Sequence, residues 1–450
     1  MTERYDLVVI GSGSAGSGVA ERCAGAGWRV AVADHRPLGG TCPQRGCIPK
    51  KVLVHAADVA AATLRLDGLG LAGGPSRLDW PALQAFKRRF TDPVPQRTAD
   101  KLTERGIDVL PGHARFVGAD RVDVEGRTVS SRHIVIATGA APARVPIDGF
   151  DRLSTSDDFL ALDAMPDRVA FVGGGYIAFE LAHVAHRAGA EVTILQQDSD
   201  PLAAFESDLV ARLTAGYRDA GIDVRLDHAV AAVAPEGGGV VVSGDGPDGR
   251  FRLAADMAVH GAGRTPAFDD LGLDAGEIAT QDGRLCLDAC LRSVSNPRVL
   301  AAGDAAQRGP ALTPVAGIDA AAVATTLLTG KGVETDYTGV PSTVFSDPPL
   351  AMVGLTEAQA AENGLRFEAV WKEREDWFST RHRGGGPAAS KVLIDTSDGR
   401  ILGAHILGYG AEEIINLFAL ALRQRIPAET LGKLPYVFPT AASDIPAMLG

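Results

Sequence analysis

YDLVVIGSGSAGSGVAERCAGAGWRVAVADH, residues 5–35, reads as strand, glycine turn, helix, strand. Leu7–Ile10 is a short continuous apolar run, the pattern of a parallel strand buried on both faces. Gly11, Gly13 and Gly16 follow at G-x-G-x-x-G spacing, with Ser14 and Ala15 between them. A small-residue helix is expected to about Gly27, and WRVAVAD is expected as the second strand, ending at Asp34. Glycines at such a turn let the backbone approach a pyrophosphate, while the helix N-terminus offers free N–H donors and a partial positive charge. An acid at the tip of the second strand, here Asp34, is placed to hydrogen-bond a ribose diol. The glycines alone are a weak signal. In this strand–turn–helix context, with the acid at the right distance, they point to a bound dinucleotide.

The pattern returns about 160 residues later as DRVAFVGGGYIAFELAHVAHRAGAEVTILQQ, residues 167–197, with Gly173, Gly175 and Ala178 at the motif positions. Two such units imply two dinucleotides, one held permanently and one exchanging. The second unit ends on Gln196 and Gln197, with neither an acid nor an arginine clamp for a 2′-phosphate, so the choice between NADH and NADPH is open at this point. SSRHIVIATGAAP and RVLAAGDAA (residues 298–306) read as strands ending in small-residue turns. Residues 58–103 read as helical, Cys286 and Cys290 fall in a strand-like segment, and RHRGGGPAAS (residues 381–390) is the most flexible-looking loop. From about Gly339 the texture becomes α+β. The fold class is therefore α/β, with two Rossmann-like dinucleotide-binding domains and a C-terminal α+β domain. The expected boundaries are 1–146, 147–265, 266–338 and 339–450.

A chain of 450 residues, 46% hydrophobic and 22% charged, has an ordinary globular composition and room for several domains. A net charge of −12 argues against a nucleic-acid surface and gives no reason to propose a membrane partner. The N-terminus lacks the basic, apolar and small-residue regions of a signal peptide, and no apolar run is long enough for a membrane span. A cytoplasmic location is expected, where thiols are mostly reduced.

That compartment sharpens the question raised by LGGTCPQRGCIPKK, residues 38–51. Cys42 and Cys47 could be a zinc site, a structural staple or a redox couple. Zinc needs four ligands, usually in two paired sets, and no second set lies nearby, so no metal is expected. A structural disulfide is disfavoured by compartment and by the small loop it would close. A redox disulfide fits best. In a regular helix, residues five apart are separated by ~7.5 Å of rise, too far for a disulfide. The turn must be distorted, and Pro43 and Gly46 suit that.

GGTCPQRGCIPKK resembles the redox-active segment of the class I pyridine nucleotide–disulfide oxidoreductases, which include glutathione reductase, dihydrolipoamide dehydrogenase and mercuric reductase. GSGSAG, ATG, GGGYIAFE, GRTP, AAGDAA, LTPVA and VFSDPPLAMVGLTE follow in that family's order, so the resemblance spans essentially the whole chain. It implies FAD and NAD(P)H as cofactors, a small-molecule electron acceptor, and a homodimer whose C-terminal domains join and whose active site is shared between subunits. Cys47 would be the thiol beside the flavin and Cys42 the thiol that meets the acceptor. Lys50 would lie near the flavin and pair with Glu180. Tyr176 would cover the flavin until the nicotinamide displaces it, and Asp304 would bond the ribityl chain. Thr41, Ala114, Thr138, Gly139, Ile177, Gly263, Arg264, Leu312 and Thr313 complete the implied cofactor contacts.

One segment departs from the family. Relatives that reduce disulfides carry H-P-T-x-x-E near the C-terminus, a histidine general acid–base oriented by the glutamate. Here the stretch is LPYVFPTAASDIPAML, which puts Phe438 at the histidine position and Ser443 at the glutamate position. His405, the last histidine, sits in an apolar run and reads as core. Tyr436 and Asp444 are the nearby candidates to replace the acid. The chain also lacks mercuric reductase's C-terminal vicinal cysteines and extra metal-carrying domain. Three acceptor classes follow: a small disulfide or other sulfur compound; a thiophilic metal ion; or a quinone or oxygen fed directly by the flavin. A non-enzymatic flavin-bearing binding protein fits less well, because the whole electron path is intact.

Overall fold

In a computed structural model, residues 3–74 and 76–450 are described. The chain divides into two compact units: residues 1–49, 88–143 and 264–337, and residues 50–87, 144–263 and 338–450.

The first unit is built on the strands β1 (Glu3–Ile10), β2 (Val30–Asp34), β3 (Asp108–Pro111), β4 (Ala114–Gly118), β5 (Arg121–Val124) and β6 (Arg127–Ile136), in the order β3-β2-β1-β6-β5-β4. β1 is parallel to both β2 and β6, with Ile10 opposite Ala33 and Ile136. Leu7, Val8 and Val9 are fully buried, so the apolar run does lie in a sheet covered on both faces. The long β6 pairs with β5 over its first half and with the strand Val299–Ala301 over its last residues. The helix α1 (Ser14–Gly25) leaves the glycine turn and packs on the helix Thr313–Thr329. There a Cβ on Gly18 would come within 2.9 Å of Ala320 Cβ, so small residues set the close crossing. The cysteines lie on α2 (Thr41–Arg45) and α3 (Cys47–Arg65).

The second unit carries the repeated nucleotide fold as a four-stranded parallel sheet. Its order is Asp223–Arg225, Glu191–Leu195, Arg168–Val172, Met257–His260. A five-stranded antiparallel sheet from Ser342 to Leu407 forms the C-terminal part. The helix Ala411–Arg423 buries Ile414, Ile415 and Phe418 in the cluster that includes Val353, Ala404 and Ile406 of this sheet.

Two local expectations are corrected. Residues 58–103 are not one helical run: α3 ends at Arg65, and helices resume at Trp80–Thr91 and Val94–Glu104. Gly68, Gly70, Gly73 and Gly74 between them all have positive φ, a conformation that ends a right-handed helix. Cys286 and Cys290 lie beyond a strand of only two residues, Arg284–Leu285. There Asp288 Oδ1 accepts from the backbone N–H groups of Cys290 and Arg292 and folds the chain into a turn. In RHRGGGPAAS a Cβ on Gly384 would stand 2.8 Å from the Arg65 carbonyl oxygen, whereas one on Gly385 would meet nothing within 4 Å. Among the described residues, no helix is long and apolar enough to cross a membrane.

Candidate functional site

In the first unit the glycine turn is as tight as the spacing requires. Gly11 has φ +107°, and a Cβ there would lie 2.3 Å from the Ala137 carbonyl oxygen. A Cβ on Gly16 would meet the Gly11 oxygen at 1.9 Å. Gly13 is the N-cap of α1 and supplies no side-chain cap, so the first-turn N–H groups of Ser14 and Ala15 stay available to an anion. Asp34 does more than wait for a ribose. Its Oδ2 accepts from Ser12 N (2.8 Å) and Ser12 Oγ (2.6 Å), and its Oδ1 from Arg36 N (2.9 Å). A carboxylate has about four acceptor positions, so capacity for a ligand hydroxyl remains.

The cysteine segment is fitted against this turn. Gly40 has φ +76°, and a Cβ on it would fall 2.4 Å from Gly13 Cα. Gln44 Nε2 donates to the carbonyls of Pro37, Leu38 and Gly40 and fastens the turn that leads to Thr41. The helix then breaks at Gly46, whose φ of −138° and ψ of −118° interrupt it between the two thiols. This is the distortion that Cys42 and Cys47 need in order to meet. Cys47 is exposed and Cys42 partly buried. The Cys42 thiol is pushed up by its hydrogen bond with Cys47 and then by burial. Cys47 Sγ also lies 3.7 Å from Thr313 Oγ1.

The remaining first-unit residues form a cradle that suits a bound flavin nucleotide. Thr138 Oγ1 is buried without a hydrogen-bond partner among the described residues, and Gly139 takes φ +70°. Ala114 is buried at the start of β4. Arg264 donates to the Ala140 carbonyl. Burial raises the Asp304 carboxyl, with the Arg264 charge opposing it. Behind it, Asp319 Oδ2 accepts from Gly303 N (2.8 Å) and its Oδ1 from Tyr337 OH (2.7 Å). Asp319 was not legible as a site residue; only its acid character inside an apolar helix hinted at it.

In the second unit, Gly173 has φ +102°, and a Cβ there would stand 2.6 Å from the Ala262 backbone. Gly175 caps the helix Tyr176–Arg187 without a side-chain bond, and the fully buried Ala178 stands at the third motif position. Gln196 Oε1 accepts from Gly174 N at 2.7 Å, the counterpart of the Asp34–Ser12 bond. Gln197 instead reaches its neighbour Asp198. Tyr176 is half-exposed at the helix start, with Ile177 next to it, and Gly263 takes φ +101°. Lys50 Nζ is 2.7 Å from Glu180 Oε1, and the same oxygen accepts from Phe345 N at 2.9 Å. Lys50 Nζ also lies 4.0 Å from the Phe345 ring centroid. Glu180 is only 3% exposed, so its charge rests on this ammonium and this amide. Phe345 carried no signal of its own in the sequence.

The two substitutes for the missing acid are engaged elsewhere. Tyr436 OH donates to the Leu431 carbonyl at 2.9 Å, and burial raises its pKa. Asp444 Oδ2 accepts from Arg374 Nη2 (3.0 Å) and from Ser379 Oγ, and Arg374 is 1% exposed. Phe438 is 83% exposed and Val437 78%. Ser443 is turned back on Thr440. His405 is fully buried with Nε2 at the Leu355 carbonyl, a core residue as expected.

Residues 5–320 match the family model described as pyridine nucleotide-disulphide oxidoreductase. The chain belongs to that family. The family's dimerisation domain matches residues 340–449. Among curated oxidoreductase relatives, a glutathione reductase of Burkholderia cepacia is 34% identical over 98% of this chain and 97% of its own length. A mercuric reductase of Streptomyces lividans is 31% identical over 98% and 94%, and a dihydrolipoyl dehydrogenase of Bacillus subtilis 30% over 97% and 93%. Among solved structures, the HOCl-induced flavoprotein disulfide reductase RclA of Escherichia coli, as a Cu(II) complex, superposes with a TM-score of 0.88. It is 28% identical and covers 100% of this chain and 99% of that one. Oxidoreductases of this family are FAD-dependent and use NAD(P)H, and the dimerisation domain indicates a homodimer.

When bound, FAD supplies the electron relay between nicotinamide and disulfide. The protein's own part is visible in the residues. The two uncapped helix starts are suited to the pyrophosphates, Lys50 is held by Glu180, and the broken helix brings the two sulfurs together.

Proposed function

We propose that this oxidoreductase passes electrons from NAD(P)H, through FAD and a Cys42–Cys47 disulfide, to a small disulfide or other sulfur compound whose leaving group needs no protonation. The observation that carries this reading is the pairing of an intact thiol couple with a C-terminal segment that has no available acid. Phe438 stands at the acid position, while Tyr436 and Asp444 are bonded elsewhere. Cys42 attacks the acceptor sulfur, and Cys47 then closes the disulfide. Lys50 with Glu180 and Tyr176 serve the flavin and nicotinamide, and Gln196 and Gln197 meet the adenosine ribose. The four-part division at residues 146, 265 and 338, an active site completed by the partner subunit, and work in the cytoplasm belong to the same reading.

An acceptor panel on the FAD-loaded protein, run with NADH and NADPH on the wild type and on Cys42→Ser, tests it. Loss of sulfur-acceptor turnover in Cys42→Ser is expected. Undiminished turnover would move the reading to acceptors that take electrons from the flavin directly. A thiophilic metal ion is the second reading, favoured by the same two thiols and by the Cu(II) complex of the RclA neighbour. Cys42-dependent turnover of Cu(II) or Hg(II), with no sulfur compound reduced, would select it.

A further inference from the structure

Lys50 is not the only residue of α3 that bonds to the helix Tyr176–Arg187. Lys50 Nζ reaches Glu180 Oε1 at 2.7 Å, and about two turns further along α3 Asp58 Oδ1 lies 3.1 Å from His183 Nε2. Glu180 and His183 are three residues apart, so they share one face of their helix. His183 is 2% exposed, on a helix whose Phe179, Ala182 and Val184 share one apolar cluster with Leu53, Val54 and Ala57 of α3. A polar ring buried at such a place is costly unless it is bonded. A carboxylate only accepts, so Nε2 carries the hydrogen of this bond. Apolar contact is non-directional and lets two helices swivel on each other. One polar bond between them is a pivot, and a second bond at another point fixes the crossing angle. At its far end α3 is tied to a different segment, through Arg65 and Asp347 at 2.8 Å.

We propose that His183 is a positioning residue for flavin reduction: its bond to Asp58 fixes the angle between its own helix and α3, and so keeps the Lys50 ammonium where it meets the charge that a hydride brings to the flavin. The inference rests on the reading of Lys50 as the lysine that serves the flavin. The step balances: NAD(P)H gives up a hydride, two electrons and one proton, and becomes NAD(P)⁺, and both electrons and that proton pass to the flavin. No bond forms or breaks at His183, and its proton stays in the bond to Asp58. The sequence held only a slight signal, a histidine within the small apolar run AFELAHVA. Nothing there linked it to Asp58, 125 positions away.

In FAD-loaded protein carrying Cys42→Ser and Cys47→Ser, the flavin is the one redox centre. Its midpoint potential is measured by dye equilibration, and its reduction by NADH and by NADPH is followed by stopped-flow absorbance over a range of coenzyme concentrations. Adding His183→Leu should slow the limiting rate of reduction about tenfold and leave the half-saturating coenzyme concentration within about twofold. It should lower the equilibrium constant for flavin reduction about tenfold, a fall of about 30 mV for a two-electron couple. His183→Gln, whose amide can donate to Asp58, should return rate and potential to the parent values. Asp58→Ala, at a side chain 36% exposed, should shift both as the leucine does and serves if the leucine variant fails to fold. With Lys50→Met already in place, His183→Leu should move the potential no further, because the effect runs through Lys50. Rate and potential unmoved by leucine and alanine, no recovery with glutamine, or a full shift that persists without Lys50 would overturn the role of His183. Failure of the parent reading looks different: Lys50→Met alone would leave the flavin's potential and reduction rate unchanged.

Discussion

Phe438 shows what one side chain decides. General acid catalysis typically contributes 10²–10⁴-fold, and a phenyl ring cannot donate a proton to a leaving thiolate. Oxidised glutathione should therefore turn over slowly. Phe438→His should raise that rate by about tenfold, and Phe438→His with Ser443→Glu should raise it further, because the glutamate orients the ring. With Phe438 83% exposed, the change should leave the melting temperature within about a degree. Steady-state kinetics with glutathione check the first expectation and thermal unfolding the second. A histidine variant with unchanged glutathione rate would show that the ring serves as an apolar wall. This absence was fully legible in the sequence. The engagement of Tyr436 and Asp444 was not, since their partners Leu431, Arg374 and Ser379 are set by packing that no local pattern encodes.

Among the elements, the segment from Gly39 to Arg65 carries the chemistry, and its geometry depends on two glycines. Gly40 allows the backbone to touch the glycine turn at Gly13, and Gly46 breaks the helix between the thiols. Gly40→Ala would strain a left-handed residue by about 1–3 kcal/mol and push the cysteine turn off its seat. A misplacement of 1 Å near reacting atoms costs about 10²-fold in rate. The variant should fold with a lower melting temperature and lose most acceptor reduction, as thermal unfolding and turnover on the same sample would show. Wild-type turnover in Gly40→Ala would deny that the contact sets the thiol geometry. The strand–turn–helix units and the need for a broken helix at the cysteines were readable, because periodicity and spacing are local. Lys50 and Glu180, 130 positions apart, were paired only through motif resemblance. Phe345 acts through a tertiary contact that its residue type does not announce, and Asp319 was hinted at only as an acid inside an apolar helix.

At the scale of the molecule, distant parts of the chain are tied by buried charge. Lys391 Nζ sits 3.0 Å from Glu206 Oε1 and also reaches Asp208 and Glu357. Lys391 and Glu206 are each about 95% covered, so the ammonium neutralises a cluster that could otherwise attract a cation. Burial opposes the charge on Lys391, but its bonds to Asp208, Glu357 and Glu206 outweigh that and raise its pKa. Lys391→Met would leave Glu206 buried and unpaired, at a cost of about 3–5 kcal/mol. A clear fall in melting temperature, largest at neutral pH and smaller where the carboxylates protonate, is expected from thermal scans across pH. An unchanged melting temperature would mean the cluster is hydrated. The repeated nucleotide fold carries a different consequence. Each glycine turn is latched by a side chain 22 positions further on, by the carboxylate of Asp34 in one copy and by the neutral amide of Gln196 in the other. One latch is charged and the other is not, so the mechanical task is indifferent to charge. A change of charge at Gln196 should then leave the turn folded, and coenzyme preference becomes a property that a single substitution can move. Gln196→Glu should keep the fold and lower kcat/KM for NADPH about ten- to a hundredfold relative to NADH, starting from a wild type with only modest preference. Equal rates with both coenzymes in that variant would show that the charge at this latch does not meet the ribose.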